Sequence, residues 1–214
     1  MSSEPLAGRV SAATGEPDPW RNRVAVADRG GAGYAELITS TRAYLDALAA
    51  ANIDSDGAAR LAEQLQHITS ELQRWAADED AAPIGTRLDL PGRGHPLLLP
   101  FVADEWTESA VRGRVVFGRF HLGGNGAAHG GTLPLLFDEV LGRLNSGGGR
   151  TVGRTAYLHV NYRHITPIGR ELHLEATLDR TEGRKRFITG RLRDGDTVVA
   201  DAEGLFVELL PGQP

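Results

Sequence analysis

The spacing of hydrophobic positions predicts two amphipathic helices early in the chain. Apolar side chains recur at helical spacing over residues 34–51, and they do so more regularly over residues 56–77. The joint between these segments, Asn-Ile-Asp-Ser-Asp, contains residues that cap helix N-termini well. We therefore expect a helical hairpin over residues 34–80, with Leu72 and Trp75 in its core.

Segments without a regular hydrophobic pattern flank this hairpin. Residues 1–33 are rich in Gly, Pro, Asp and Ser and have few adjacent apolar positions, which indicates a flexible N-terminal arm. Residues 81–97 contain prolines and glycines at a density that excludes long helices and strands, so they are predicted to be a linker. A second domain is then expected over residues 98–210.

In that second domain, alternation with a period of two replaces the helical spacing and predicts an antiparallel sheet. Four segments alternate, at residues 111–117, 155–162, 172–179 and 198–206. A shorter fifth segment lies at residues 187–192. Strict alternation in the second segment places Thr155 and Tyr162 on opposite faces of its strand. One strongly apolar helix, at 133–144, interrupts the strands. A single helix followed by several strands favours an α+β layer pair.

Composition excludes several classes of function. The chain has no cysteine, so disulfides, thiolate nucleophiles and zinc–thiolate sites are ruled out. Its net charge of −5 argues against nucleic acid as a main partner. It has no apolar run of the roughly 18 residues that a membrane span needs and no apolar core of a secretory signal near its start, so a cytoplasmic location is expected.

The most unusual local feature is a glycine-rich loop, Gly-Gly-Asn-Gly-Ala-Ala-His-Gly-Gly, at residues 123–131 before the apolar helix. Bare backbone N–H groups at a helix N-terminus suit an anion, or an oxygen that becomes negative during a reaction. Pro134 fits the first helical turn. The loop lacks the Lys-Ser/Thr of a P-loop and the third glycine of a dinucleotide fingerprint, and no Gly-x-Ser-x-Gly elbow is present. It is therefore a candidate oxyanion hole.

Two carboxylates, Asp138 and Glu139, stand inside the apolar helix. They are either solvated positions on the outer face of the helix or partly buried functional groups. At about 1.5 Å rise per residue, Asp138 lies roughly 12 Å along the helix from Gly130, which is too far for both to reach one carbonyl carbon within a single chain. Cooperation between these two residues would require a second subunit.

These motifs together resemble the hotdog-fold acyl-CoA thioesterases of the PaaI-like group. The resemblance is carried by His129-Gly130-Gly131, by Asp138 nine residues after the histidine, and by Thr-Ala-Tyr-Leu-His-Val-Asn-Tyr from Thr155 with a proline shortly after. It covers residues 95–210 and not the N-terminal part. It implies a hotdog fold, in which a central helix is wrapped by a curved antiparallel sheet, and a homodimer or dimer of dimers with active sites at the subunit interface.

The resemblance also implies a role for each site residue. The Gly130 N–H, helped by the Asn125 side chain, would polarise the thioester carbonyl. Asp138 of the opposite subunit would act as general base or nucleophile, and Thr155 would orient the attacking water. His129 would brace the loop. Glu139 remains a second candidate carboxylate, because some related enzymes use glutamate.

Acyl-CoA is the implied substrate, and its phosphates need a basic partner. The one dense basic run, Arg184-Lys185-Arg186, follows Gly183 at a predicted turn. The resemblance places the equivalent Gly-Arg turn near the phosphates, and so it implies that Arg184 and Lys185 bind the phosphates and that Gly131 binds substrate at the helix start. A solvated charge cluster is the alternative for this turn. No cofactor is required, and no metal is predicted because the histidines lack ligand spacing.

The sequence thus predicts an acyl-CoA thioesterase with a place in fatty acid metabolism. A hotdog protein that binds acyl-CoA without hydrolysing it is the main alternative, and a hotdog dehydratase ranks last. The helical hairpin could cap the outer surface, extend the dimer interface or cover an acyl tunnel. The preferred acyl chain stays open.

Overall fold

The protein consists of three helices and eight strands within residues 29–210 and 212, which are the residues that the computed structural model describes. The helices are α1 (Gly33–Ala50), α2 (Ser55–Gln73) and α3 (Thr132–Asn145). The strands are β1 (Val102–Trp106), β2 (Ala110–Val116), β3 (Leu122–Gly124), β4 (Ala127–Ala128), β5 (Gly153–Tyr162), β6 (Glu171–Glu182), β7 (Lys185–Asp194) and β8 (Thr197–Glu208). The predicted arm over residues 1–33 lies mostly outside the described residues.

Six of the strands form one antiparallel sheet in the order β1-β2-β6-β7-β8-β5. Helix α3 lies against one face of this sheet. Its apolar side is fully buried against strand residues that alternate inward; the helix contributes Leu133, Leu136, Phe137, Val140, Leu141 and Leu144. At Gly190 on β7, a Cβ atom would come within 3.2 Å of the Phe137 ring, so the glycine allows helix and sheet to approach closely. This central helix on an antiparallel sheet is the hotdog fold that the resemblance implies.

The sheet is larger than the alternation predicts. Strand β1 was missed because four of its five residues are exposed, so it carries no buried alternate positions. It lies at one edge of the sheet and pairs with β2 alone. Strand β7 extends beyond the predicted 187–192 at both ends. The apolar pattern therefore marks the buried part of a strand rather than its full length.

Strand β5 contains a bulge near its start that alternation does not predict. Thr155 pairs with Phe206 and the next pair joins Tyr157 to Leu205, so Ala156 is an extra residue on this strand. Phe206 is buried on the side that faces α3, and its cross-strand partner Thr155 shares that side. The expectation that Thr155 and Tyr162 lie on opposite faces is therefore wrong, because one inserted residue reverses the alternation between them.

The segment before β1 is packed against the domain. Residues 81–97 form no α-helix and no strand, as the prolines and glycines predict, and the turn at Pro91–Gly94 has left-handed backbone at Gly92 and Arg93. Helix α1 is fastened to this turn: the Tyr34 hydroxyl donates a hydrogen bond to the Gly94 carbonyl over 2.9 Å. Arg42 donates to the carbonyl oxygens of Pro91, His95 and Leu98.

The second predicted helix is present, but the predicted packing of its apolar stripe is wrong. Helix α2 is capped by Asp54, whose side chain accepts a hydrogen bond from the Gly57 N–H over 2.7 Å. Leu72 is 51% exposed and Trp75, just past the helix, is 68% exposed, so neither lies in a hairpin core. Periodicity gives the apolar face of a helix but not the surface that covers it.

Candidate active site

The glycine-rich loop begins as a small hairpin. Strands β3 and β4 are joined by Asn125 and Gly126, whose φ angles are 49° and 74°. Two successive left-handed residues form the tight turn that Asn-Gly favours. Asn125 is exposed at the tip, and within residues 29–210 its side chain makes no hydrogen bond. The structure thus explains Asn125 as a turn residue and leaves its predicted contact with a substrate carbonyl as a prediction.

After the hairpin, the peptide between Gly130 and Gly131 is held at both ends. Its N–H, which belongs to Gly131, donates to His129 Nδ1 over 3.1 Å. Its carbonyl, which belongs to Gly130, accepts from the Tyr162 hydroxyl over 3.0 Å and from the Leu133 N–H over 3.3 Å. The His129 carbonyl also accepts from the Thr132 hydroxyl over 2.6 Å. His129 therefore braces the start of α3.

Within residues 29–210, the Gly130 N–H has no hydrogen-bond partner. Among the hydrogen bonds of the described residues, none uses this donor, and Gly130 is exposed. It lies two residues before α3, where the partial positive charge of the helix end favours an incoming negative oxygen. This free donor on a fixed loop has the properties of an oxyanion donor.

Asp138 lies on the exposed side of α3 and contacts β5. The Thr155 hydroxyl donates a hydrogen bond to Asp138 Oδ1 over 2.9 Å. The bulge at Ala156 makes this contact possible, because it turns Thr155 toward the helix. Both residues are exposed in the single chain. The structure thus joins the Asp138 carboxylate and the Thr155 hydroxyl, which lie 17 positions apart in the chain.

Glu139, the alternative carboxylate, is engaged elsewhere. Arg93 Nε and Nη2 donate to its two oxygens over 2.8 and 2.7 Å, and its side chain is 9% exposed. Such a bidentate pair satisfies both carboxylate oxygens with one guanidinium. Glu139 therefore fastens α3 to the segment before β1, whereas Asp138 keeps an oxygen without a protein hydrogen bond in the described chain.

The candidate site has two halves, the Asp138–Thr155 pair and the Gly130 N–H, and they lie at opposite ends of β5. Asp138 is beside Thr155 near the start of the strand, and Gly130 is beside Tyr162 at its end. Seven residues of strand correspond to roughly 20 Å. β5 is also an edge strand, with β8 as its neighbour on one side and no strand of the described chain on the other. One chain therefore holds both halves but does not bring them together.

The basic run has two different environments. Arg186 is 4% exposed; it binds the side-chain oxygens of Asn145 and Glu208 at 3.1 and 2.8 Å and the Thr151 carbonyl at 2.7 Å. Arg184 and Lys185 are exposed, and Arg184 donates to the Glu208 carbonyl over 2.9 Å. The pattern of the sequence does not separate the structural arginine from its two exposed neighbours.

Arg154 is a basic residue near this run that sequence analysis missed. Val207 pairs with both Arg154 and Lys185, so the two basic side chains share the face of the sheet opposite to α3. They lie at the same end of β5 as Thr155. The one sign of Arg154 in the sequence was its position immediately before the candidate site residue Thr155. Three exposed basic residues thus border the end of the sheet beside Asp138; they are Arg154, Arg184 and Lys185.

Over residues 29–210, no group of three His, Asp or Glu side chains has the geometry to hold a metal ion. No helix in the same part of the chain is long and apolar enough to cross a membrane.

Comparison with known proteins gives a consistent family. The thioesterase superfamily model matches residues 125–200, which include most of the glycine-rich loop, α3 and β5. The crystal structure of the thioesterase superfamily protein RHA08564 is similar over 83% of this chain and 96% of that protein, with 31% identity and a TM-score of 0.72.

Curated relatives match over shorter segments. Acyl-coenzyme A thioesterase THEM4 of Bos taurus is 33% identical over 88 residues, which are 40% of this chain and 35% of that protein. Acyl-coenzyme A thioesterase THEM5 of Mus musculus is 29% identical over 137 residues, which are 63% of this chain and 54% of that protein. The matched region thus spans about a third to a half of these relatives.

Proposed function

Because the chain belongs to the thioesterase superfamily, we propose that it hydrolyses an acyl-CoA thioester to the free carboxylic acid and coenzyme A. The observation that carries this proposal is the arrangement on β5. A carboxylate paired with a hydroxyl lies at one end of this edge strand. At the other end lies a backbone N–H that has no partner in the described part of the chain. These are the groups that hydrolysis of an activated carbonyl requires.

The complete site is formed by two copies of the chain. When two edge strands pair antiparallel about a twofold axis, the start of one strand lies against the end of the other. Such pairing of β5 with the partner's β5 brings the Gly130 N–H of one protomer toward the partner's Asp138. The exposure of both groups in the single chain is consistent with an interface there. The protein is therefore a homodimer, or a larger oligomer built from that dimer.

In this site the thioester carbonyl oxygen accepts a hydrogen bond from the Gly130 N–H, with the Asn125 side chain as the second donor. The partner's Asp138 removes a proton from a water molecule, and the water oxygen attacks the carbonyl carbon. The partner's Thr155 holds one oxygen of that carboxylate, so the other is directed at the water. Negative charge then develops on the carbonyl oxygen, where the N–H stabilises it.

Collapse of the tetrahedral intermediate breaks the carbon–sulfur bond. The thiolate of coenzyme A leaves with the electron pair, and the proton held by Asp138 neutralises it. The products are a carboxylic acid and a thiol, and Asp138 returns to its ionised form. No redox step and no organic cofactor take part, and coenzyme A is a portion of the substrate. The proposed setting is the cytoplasm.

The experiment that tests this function is release of free thiol from a panel of short, long and aromatic acyl-CoAs. The proposal predicts turnover of at least one member of the panel by the wild-type dimer, and the panel also gives the chain preference. Equilibrium binding of the same acyl-CoAs is measured in parallel. Tight binding without turnover of any member would replace the thioesterase with a protein that only binds acyl-CoA.

The basic turn provides a separate prediction about substrate binding. Replacing both Arg184 and Lys185 with Ala is expected to raise KM for acyl-CoA about 10-fold with kcat unchanged, because two cations near the phosphates are lost. The effect should shrink as salt is raised. The matched control is Arg112→Ala, an exposed arginine on β2 at the other side of the sheet, which should leave KM unchanged.

A second substrate without phosphates separates the loss of phosphate binding from a general loss of activity. The N-acetylcysteamine thioester of the same acid has no phosphates, so its KM should be equal for wild type and the double variant. Equal KM values for acyl-CoA in the double variant and in Arg112→Ala would remove Arg184 and Lys185 from the phosphate site and leave them as a solvated cluster.

A further inference from the structure

We infer that Tyr162 is a positioning residue for the oxyanion donor: its hydroxyl fixes the Gly130–Gly131 peptide and thereby the direction of the Gly130 N–H. The inference rests on the proposed function and extends it to a residue without an assigned role. Tyr162 does not touch the reacting atoms in this account. It acts through the peptide that follows the donor.

The contacts around Gly130 support this role. The Tyr162 hydroxyl donates to the Gly130 carbonyl over 3.0 Å, and a Cβ atom at Gly130 would lie 3.7 Å from the tyrosine ring. The other end of the same peptide is held by His129 Nδ1. A glycine has wide freedom of φ and ψ, so an N–H beside it points in a fixed direction only when neighbouring peptides are restrained. Among the described residues the Gly130 N–H has no hydrogen-bond acceptor, and it is the donor that the mechanism uses.

The bulge in β5 gives independent support. Thr155 and Tyr162 are seven residues apart, an odd number that would put them on opposite faces of a regular strand. The extra residue at Ala156 puts both on the face toward α3. Consequently one strand holds the carboxylate through Thr155 and the glycine loop through Tyr162. β5 therefore fixes the distance between the two half-sites that each protomer contributes.

Loss of the Tyr162 hydroxyl should affect the chemical step more than substrate binding. Donors that are aligned in advance stabilise charge in the transition state, where the carbonyl oxygen becomes negative. Tyr162→Phe keeps the ring and removes only the hydrogen bond. We expect kcat to fall about 10-fold and KM to stay within about twofold of wild type, since the N–H remains present but less well aligned.

The matched control is Tyr157→Phe on the same strand. The Tyr157 hydroxyl donates to Glu203 over 2.6 Å on the opposite face of the sheet, and that hydrogen bond raises the pKa of Tyr157. Tyr157→Phe removes a tyrosine hydroxyl from the same strand as Tyr162→Phe does, but this hydroxyl does not contact the glycine-rich loop. We expect wild-type kcat and KM for this variant. Size-exclusion chromatography and thermal unfolding check that all three proteins have the same oligomeric state and stability.

Amide hydrogen exchange supplies a readout that does not depend on activity. Peptides covering residues 129–133 should exchange several times faster in Tyr162→Phe than in Tyr157→Phe or wild type. Wild-type kcat or unchanged exchange in Tyr162→Phe would overturn the inference. If wild type hydrolyses no acyl-CoA, the proposed function fails, and the exchange comparison alone decides whether Tyr162 positions this loop.

Discussion

Replacing Asp138 with Asn is expected to lower kcat for acyl-CoA hydrolysis by about 1000-fold while the oligomer stays folded. The amide has the same shape as the carboxylate but cannot accept a proton from water. Thr155 can still donate to the amide oxygen, so the contact between α3 and β5 is preserved. Asp138 is exposed in the single chain, so the substitution leaves the packing of α3 on its own sheet unchanged. Free-thiol release under saturating substrate gives the measurement.

The control is Glu139→Gln on the neighbouring position of the same helix. Glu139 is bound by Arg93, so its loss should reduce stability but keep kcat within about threefold of wild type. Thermal unfolding of both variants separates stability from catalysis. The opposite pattern, with activity retained in Asp138→Asn and lost in Glu139→Gln, would transfer the role of the working carboxylate to Glu139.

Replacing Arg186 with Met is expected to reduce the free energy of unfolding by about 3 kcal/mol. The side chain of Arg186 is 5% exposed and binds groups from three segments that meet at the C-terminal end of α3. These groups are Asn145, the Thr151 carbonyl and Glu208. Methionine fills similar space but gives these oxygens no donor. Asn145 is fully buried, so the loss of a partner for its side-chain oxygen is costly.

Urea unfolding at one fixed protein concentration measures this loss, because the stability of an oligomer depends on concentration. The matched control is Arg184→Met, which removes an exposed arginine two residues away and should unfold close to wild type. If the two variants have the same midpoint and slope, the network around Arg186 does not stabilise the fold. The comparison also separates the structural role of the buried Arg186 from that of the exposed Arg184.

The sequence predicted the central features because they rest on local patterns. The apolar run before Leu144 forms α3, and the glycine-rich loop precedes it. Alternating segments form the strands of the sheet that packs on α3, because inward apolar positions mark a half-buried strand. Helix α2 begins at the predicted cap, since an N-cap depends on a few adjacent residues.

The features that were missed depend on contacts between distant segments. The bulge at Ala156 changes the face of the sheet on which Thr155 lies, and no residue type near it indicates an inserted position. The burial of Arg186 depends on Asn145, Thr151 and Glu208, which lie far apart in the chain. Such effects follow from tertiary packing, so neither composition nor spacing could have given them.

The central claim is that each active site combines the Gly130 loop of one protomer with the partner's Asp138. Its most direct test is a mixture of two inactive variants. Gly130→Pro removes the donor N–H, and Asp138→Asn removes the base. Equal amounts are co-expressed with different affinity tags, and the activity of the mixed population is compared with wild type.

Random assortment makes half of the dimers mixed, and each mixed dimer has one site with both wild-type groups. The account therefore predicts recovery of about a quarter of wild-type activity, confined to the doubly tagged dimer. Each variant alone should stay inactive. If the doubly tagged dimer forms and is as inactive as its parents, the two groups act within one chain or not together, and the shared site is contradicted.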